Sequence, residues 1–174
     1  ATRENTEKMR EWMMCLPYRQ GHSPFSMVPS YEKAILEYAV HHDWDPWWKH
    51  PGYDVSGYWD QYANIPILLI GGWYDSHTSA VFEAYDQLLR HKKGPVRMIM
   101  GPWKHGAKHL QESYAGDVDF GPDSPLDYDG IRLRFFNQVL KGKDTGINEE
   151  APIKIFVMGG GSGRKTAGGH LDHG

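Results

Sequence analysis

The chain has 174 residues, about the size of one domain, and 40% of them are hydrophobic. Its 19 Lys and Arg residues against 22 Asp and Glu residues give a formal net charge of −3, which argues against a nucleic-acid-binding protein because that function needs a basic face. We expect no membrane helix and no signal peptide, and the single cysteine, Cys15, excludes an internal disulfide and a cysteine-based zinc cluster. These features predict a soluble globular protein. They leave the compartment open, with the cytoplasm slightly favoured, and they leave a homo-oligomer open as well.

Two helices are predicted in the first 40 residues. Apolar residues at helical spacing predict the first helix, which Pro17 ends: Met9, Trp12, Met13 and Leu16. Ser30 is the expected N-cap of the second helix. The apolar face of that helix consists of Tyr31, Ala34, Ile35, Tyr38 and Ala39. The stretch HHDWDPWWKHPGYD follows, and its content of Pro, Gly and aromatic residues predicts a long ordered loop of a kind that is often functional.

A strand–helix–strand unit is predicted next. The continuous apolar run from Ile67 to Ile70, closed by Gly71 and Gly72, is typical of a strand buried on both faces of a parallel sheet. The following helix has an apolar face of Val81, Tyr85, Leu88 and Leu89. A second strand runs from Val96 to Met100 and ends at Gly101-Pro102. A unit of this kind requires its two strands to be parallel.

The rest of the chain predicts one more helix and one more strand. The helix opens at Pro125 and ends at Lys141-Gly142, with a buried face of Ile131, Phe135, Val139 and Leu140. The strand contains Ile153, Ile155 and Val157, and it is detached from the other two in this interpretation. The Gly-rich end after it has too few apolar residues to build a core.

The predicted parallel sheet is incomplete. Buried parallel strands need neighbours and covering helices, and two such strands are fewer than a usual sheet contains. We therefore expect the chain to be part of a larger protein, and the alternative is a small α+β domain.

Asp75 and His105 follow the two predicted strands. Sites in parallel α/β sheets form beyond the carboxyl ends of the strands, so these side chains are expected to meet there. A carboxylate that accepts the imidazole Nδ1–H leaves Nε2 free as a general base. The alternatives are that Asp75 only caps the helix that follows it and that His105 is an ordinary loop histidine.

Several segments resemble one family of enzymes. The stretches IPILLIGGWYDSHTSAVFEAYDQL and VRMIMGPWKHG resemble the Asp and His segments of the cocaine esterase/X-prolyl dipeptidyl-peptidase family of α/β-hydrolases. HPGYDVSGYW resembles that family's cap-to-core stretch, and DFGPDSPLDYDGIRLRFFNQVLKGKDTGI resembles its last core helix. PIKIFVMGGG resembles the opening of its C-terminal jelly-roll domain. The resemblance covers most of the chain from about residue 50 onward.

The resemblance implies an α/β fold with three segments. Residues 1–64 are expected to be part of a helical cap with the cap-to-core loop. Residues 65–148 are expected to be the C-terminal part of the α/β-hydrolase core. Residues 149–174 are expected to hold the first strand of a truncated C-terminal β-sandwich domain.

The resemblance also implies a serine hydrolase that cleaves ester or amide bonds through an acyl-enzyme. Asp75 is then the triad acid and His105 the triad base, while Trp73, Tyr74 and Trp103 line the acyl pocket. The implied substrate is a small ester or amide or a peptide, X-Pro peptides included, and no cofactor or metal is implied. The sequence has no G-x-S-x-G nucleophile motif, so the serine is expected upstream, and the 174 residues alone are expected to be inactive.

Two other functions are left open. A metal-dependent hydrolase is suggested by His105 and His109, four residues apart, and by the group His41, His42, Asp43 and Asp45. The segment HGAKH lacks the Glu of the H-E-x-x-H motif, which weakens that interpretation. The other possibility is a non-catalytic interaction or cap fragment whose binding surface consists of Trp44, Trp47, Trp48 and Trp59.

Overall fold

The computed structural model describes residues 3–14, 16–23, 25–91 and 93–173 of the chain. They form two compact units, Ala1–Tyr58 and Trp59–Gly174, which we describe separately. The segments 1–64, 65–148 and 149–174 stay predictions. Within the described ranges, no helix combines the length and the apolar character needed to cross a membrane.

The first unit contains the two predicted helices, with different details. Helix α1 spans Arg3–Met14 and helix α2 spans Pro29–Val40. The predicted Ser30 cap is wrong, because the N-cap is Val28 and α2 begins at Pro29, two residues earlier than predicted. The first turn of a helix suits the fixed φ of proline. Leu16 lies outside α1, and both it and Met13 are exposed, so the predicted apolar face of α1 is not buried within this unit. The side chain of Trp12 lies outside the described residues.

The buried residue of α2 is an acid, Glu32, which is 2% exposed. Its carboxylate accepts hydrogen bonds from the backbone N–H groups of Gly21 and Ser23 and from the Ser23 hydroxyl. The expected apolar face is not buried, since Tyr31 and Tyr38 are exposed, but the Tyr38 ring lies 5.2 Å from that of Trp47. A hydrogen-bonded carboxylate therefore anchors the chain before α2 to this helix.

The predicted aromatic loop is held by contacts among its own residues and with Tyr38 of α2. Trp47 stacks on Tyr53 with ring centroids 4.5 Å apart and meets Trp48 edge to face at 4.7 Å. The Trp48 indole N–H donates to the carbonyl of His41 at 2.7 Å. Aromatic packing and a partly buried hydrogen bond thus help to hold residues 41–54 together without regular secondary structure.

The second unit is built on the predicted strand–helix–strand unit. Strand β1 spans Ile67–Tyr74, helix α3 spans Thr78–Arg90 and strand β2 spans Val96–Lys104. The two strands are parallel, as predicted. One buried cluster of the core consists of Trp59, Leu88 and Val96, against which Ile67, Leu69, Ala84 and Tyr85 pack. Leu89, predicted on the buried face of α3, is exposed instead.

Both strands are longer than predicted. The sequence analysis ended β1 at Gly71-Gly72 and β2 at Gly101-Pro102, but pairing continues through these residues. The glycines lie inside the sheet because the strands approach closely there: a β-carbon on Gly72 would fall 2.2 Å from the carbonyl oxygen of Trp103.

The remaining elements complete one sheet and add a second. Strands β3, Tyr114–Ala115, and β4, Val118–Asp119, form an antiparallel pair. Helix α4 spans Tyr128–Lys141. It begins three residues after the predicted Pro125, because the Asp127 side chain caps it by accepting a hydrogen bond from the Gly130 N–H. It ends as predicted at Gly142, which adopts the left-handed backbone conformation. Leu140, predicted on its buried face, is exposed.

The fifth strand corrects one expectation. Strand β5, Ile153–Ile155, was expected to be detached, but it pairs in parallel with β2 and gives the sheet order β1-β2-β5. Strand β6, Leu171–Asp172, comes from the Gly-rich end and joins β4. The described residues are therefore a mixed α/β fold with a three-stranded parallel sheet, which is compatible with part of an α/β-hydrolase; the helical cap and the jelly-roll domain stay predictions.

Candidate active site

A one-residue irregularity in the sheet sets the positions of Asp75 and His105. The register pairs Gly72 with Gly101 but then pairs Tyr74 with Lys104, so β2 contains one extra residue at this point. Continued by one residue, this register sets His105 level with Asp75. Without the bulge, Lys104 would occupy that place. The bulge therefore selects which β2 side chain meets Asp75.

The two side chains are in hydrogen-bonding contact. Nδ1 of His105 lies 2.9 Å from Oδ2 of Asp75, as the strand-end argument expected. The Asp75 side chain is 14% exposed, whereas that of His105 is 71% exposed. Nε2 of His105 has no hydrogen-bond partner among the residues that the structure describes. The imidazole is thus held from one side and open on the other.

The other oxygen of Asp75 is held by His77. Oδ1 accepts the backbone N–H of His77 at 2.9 Å, and Nδ1 of the same residue lies 3.0 Å away. The backbone is fixed as well, since the Thr78 hydroxyl lies 2.5 Å from the Gly72 carbonyl and 2.6 Å from that of Asp75. The sequence analysis did not single out His77; the spacing D-x-H directly after a buried strand was the signal that could have identified it.

These contacts decide the charge of Asp75. Burial raises the pKa of its carboxyl, but hydrogen bonds from the His77 backbone and from the imidazoles of His77 and His105 outweigh burial and lower the pKa to about 2. The carboxylate is therefore ionised at neutral pH and can orient an imidazole and stabilise its protonated form.

Capping of α3 does not explain Asp75. The N-cap residue of this helix is His77, and no side chain accepts a hydrogen bond there. The Asp75 carboxylate instead closes the turn before the helix through the His77 N–H, while its second oxygen faces His105. One carboxylate therefore both stabilises the local turn and contacts His105.

A cavity of about 410 Å³ lies beside the pair. Apolar side chains, among them Leu68, Leu110 and Phe135, form much of its wall. Lys104 and Arg132 add positive charge, and Asp75 and His105 belong to the lining. The combination of an apolar wall with a few polar groups is typical of sites for small organic molecules.

The three aromatic residues predicted to form an acyl pocket do not line this cavity. The Trp73 indole donates to the carbonyl of Phe156, and its ring stacks on Phe82. Tyr74 is half exposed and lies near Phe120. Their assignment to a substrate pocket, like that of Trp103, stays a prediction.

Trp103 is 4% exposed and folds back on its own strand. Its indole N–H donates to the Ser124 carbonyl at 2.8 Å. A β-carbon on Gly101 would lie 2.3 Å from the Trp103 ring, so the ring covers that glycine. Trp103 therefore fixes the end of β2 two residues before His105.

The two predicted metal groups do not assemble. Nδ1 of His109 lies 2.6 Å from Oε2 of Glu112 and is paired with it rather than with His105. His41 is likewise paired with Asp45 at 2.5 Å. A different group, Asp75, His77 and His105, has one ligand atom per residue, and these atoms lie within 4.8 Å of one another.

The proposed tryptophan surface is divided. Trp59 is buried in the core of the second unit and is not available to a partner. Trp44 is exposed, whereas Trp47 and Trp48 are half-buried in the aromatic loop of the first unit. The four residues therefore do not form one exposed surface.

Comparison with known proteins identifies relatives for this part of the fold. Residues 3–107, which include Asp75 and His105, match the family described as X-Pro dipeptidyl-peptidase (S15 family). Two curated proteins named as putative serine esterases, from Mycobacterium bovis and Mycobacterium tuberculosis, are each 32% identical over 103 residues. The alignments cover 58% of this chain and 15% of each relative, so the matched part of the chain spans a small part of these proteins.

Proposed function

This chain belongs to the X-Pro dipeptidyl-peptidase (S15) family, and on that premise we propose that Asp75 and His105 are the acid and base of a serine hydrolase. The enzyme would cleave ester or amide bonds through an acyl-enzyme. The observation that carries the proposal is the 2.9 Å contact between His105 Nδ1 and Asp75 Oδ2 at the ends of two neighbouring parallel strands.

The geometry supports a defined path for the proton. The anionic Asp75 accepts the Nδ1–H of His105, so the lone pair on Nε2 faces outward. His105 then takes the hydroxyl proton of a serine as the serine oxygen attacks the substrate carbonyl. It returns this proton to the leaving alcohol or amine, which leaves an acyl-enzyme. Water, deprotonated by His105, then attacks the acyl group, and the serine leaves with that proton as the acid is released.

The serine is proposed to come from sequence outside these 174 residues. The printed sequence contains no G-x-S-x-G motif, and Gly161-Ser162-Gly163 is followed by Arg164 rather than by a helix. His105 keeps its Nε2 side exposed, as it must to meet a group from elsewhere. The chain would supply the acid–base half of the machinery.

The cavity suggests the kind of substrate. Its wall of Leu and Phe side chains suits an apolar group, and its position beside His105 suits the group bonded to the reacting carbonyl. We propose small esters, amides or X-Pro peptides as substrates.

The test uses the full-length protein that contains this chain. A fluorophosphonate that labels active serines is applied to the wild type and to His105→Gln and Asp75→Asn, followed by intact mass and ester hydrolysis. His105→Gln is expected to reduce kcat by roughly 10⁴-fold or more, together with the labelling rate.

Matched controls make the test specific. His91→Gln and Asp86→Asn repeat the same substitutions at exposed positions at the end of α3 and on α3, away from the pair. They are expected to leave hydrolysis and labelling unchanged. Ordinary hydrolysis by His105→Gln would disprove the proposed role of His105.

A further inference from the structure

His77 contacts Asp75, but the proposed proton path does not pass through its imidazole. Its Nδ1 lies 3.0 Å from Oδ1 of Asp75, while Nδ1 of His105 lies 2.9 Å from the other oxygen. The two imidazole rings are 5.0 Å apart between centroids. One carboxylate thus lies between two imidazoles that both point a ring nitrogen at it.

We propose that Asp75, His77 and His105 bind a zinc ion, and that bound zinc prevents His105 from acting as a base. The second half of this statement rests on the proposed function; the first half does not. Two imidazole nitrogens and a carboxylate oxygen are a donor set that zinc accepts, with water as the fourth ligand.

The distances fit such a site. With zinc–nitrogen and zinc–oxygen bonds of about 2.0–2.2 Å, neighbouring ligand atoms in a coordination sphere lie roughly 3.0–3.5 Å apart. The nitrogens of His77 and His105 lie 3.0 Å and 2.9 Å from the two different oxygens of Asp75, and one ligand atom from each of the three residues lies within 4.8 Å of the others. Small rotations of the imidazoles would complete the arrangement.

The site is accessible and distinct from the other histidine pairs. The side chains of His77 and His105 are 65% and 71% exposed, so a hydrated ion can reach them. In the part of the chain that the structure describes, this is the group in which three such ligands converge. The pairs His41–Asp45 and His109–Glu112 each provide one imidazole and one carboxylate.

Zinc at this position would interrupt the proton path for a chemical reason. The metal takes the lone pair of Nδ1 on His105, and the proton formerly on Nδ1 moves to Nε2 of the neutral ring. Nε2 then carries a hydrogen and donates, so it cannot accept the proton of a serine hydroxyl. The zinc ion also replaces the hydrogen bond from His105 to Asp75.

The first experiment measures binding to the 174-residue chain. Zinc is titrated in competition with a chromogenic chelator, and cobalt is titrated with its visible absorption as a signature of coordination. The wild type and the exposed control His91→Gln are expected to bind one ion per chain. Loss of a residue that only hydrogen-bonds to a metal ligand weakens metal binding by roughly 10–100-fold. His77→Gln and His105→Gln remove proposed ligands themselves, so we expect them to weaken zinc binding by at least that factor.

The outcomes are decisive for the site. Equal zinc affinity in wild type and His77→Gln would overturn it, as would the absence of a one-to-one complex in the wild type. Nitrogen NMR adds a further check, because zinc must shift Nδ1 of both His77 and His105. A shift confined to any other histidine contradicts the assignment.

The second experiment tests inhibition in the full-length protein. For each variant, the rate of hydrolysis with zinc is divided by the rate of the same variant without zinc, so that differences in basal rate cancel. Zinc is expected to inhibit the wild type, EDTA to restore it, and His77→Gln to raise the half-inhibiting zinc concentration by the factor found for binding. An active enzyme that binds zinc here without inhibition would disprove the second half of the proposal. A protein without hydrolase activity would refute the proposed function and leave the binding result standing.

Discussion

The α-carbon of Gly72 faces the backbone of Trp103 so closely that a β-carbon on Gly72 would lie 2.2 Å from the Trp103 carbonyl oxygen. This approach occurs where β2 carries its extra residue, between the pairs Gly72–Gly101 and Tyr74–Lys104. The close contact and the bulge belong together, and they set His105 beside Asp75.

Replacing Gly72 with Ala is expected to destabilise the second unit and to separate Asp75 from His105. The contact partner is backbone, which cannot move aside as a flexible side chain would, so we expect a cost of about 1–3 kcal/mol in the free energy of unfolding. Urea unfolding measures the change in the free energy of unfolding, and nitrogen NMR of His105 shows whether its Nδ1 still contacts Asp75.

Gly57→Ala is the matched control for this prediction. A β-carbon at Gly57 meets nothing within 4 Å, so this variant is expected to unfold like the wild type. Wild-type stability of Gly72→Ala would mean that the strands do not approach each other as described.

The tautomer of His105 is a second prediction. Because Nδ1 lies 2.9 Å from an anionic oxygen, the neutral ring is expected to carry its hydrogen on Nδ1 and to leave Nε2 bare. Nitrogen NMR of the metal-free chain above the titration range of histidine distinguishes the two forms. Asp75→Ala should remove the preference, whereas Asp86→Asn, on the exposed face of α3, should keep it. A hydrogen found on Nε2 in the wild type would contradict the contact.

The stability of the chain is expected to depend on pH through Asp75. Its folded-state pKa is about 2, below the ordinary value of 3.8, so the unfolded chain binds the proton more tightly. The contribution is complete above about pH 4 and is lost as the pH falls through 2. We expect it to be on the order of 1 kcal/mol, since solvent screens charges near the surface.

Urea unfolding between pH 2 and pH 6 measures this dependence. Asp75→Asn is expected to have a flatter profile than the wild type over the lower part of that range. Asp86→Asn serves as the control and should follow the wild type. Parallel profiles for Asp75→Asn and the wild type would show that the carboxylate is not held as described.

Glu32 provides a prediction for the first unit. Hydrogen bonds from Gly21 and Ser23 to its carboxylate lower its pKa, so the charged form is the one that holds the preceding segment. Glu32→Gln is expected to speed hydrogen exchange at the Gly21 and Ser23 amides by on the order of tenfold. Glu37→Gln, which breaks only an exposed pair with Lys33, should leave both amides protected. Unchanged exchange in Glu32→Gln would exclude this anchoring role.

The sequence was sufficient for the parts of the fold that depend on local pattern. An apolar run ending in glycine predicted β1, helical spacing predicted α3, and the helix that connects the two strands required them to be parallel. The meeting of Asp75 and His105 followed from the rule that parallel strands end at one edge.

The features that were missed depend on contacts between distant residues. Glycines were interpreted as strand ends, yet backbone pairing does not require side chains and continues through Gly71 and Gly101. The bulge depends on how two strands fit together, which no single segment encodes. The alternation around Ile153 predicted a strand without saying that β2 was its partner.

In the first unit too, local pattern predicted a helix but not which of its residues is buried. The spacing of Tyr31 and Tyr38 predicted a buried face, but burial in α2 falls on Glu32, whose partners lie nine and eleven residues earlier in the chain. Only the tertiary structure shows that a carboxylate can be buried at that position.

Trp103 has a consequence for how His105 meets any bound group. Its indole covers Gly101 and is hydrogen-bonded to Ser124, and none of these contacts involves a substrate. The conformational entropy lost in fixing the end of β2 is therefore lost during folding, before a ligand arrives. A ligand that bound beside His105 would therefore have to order little of the end of β2, and its affinity would reflect mainly the contacts that it makes.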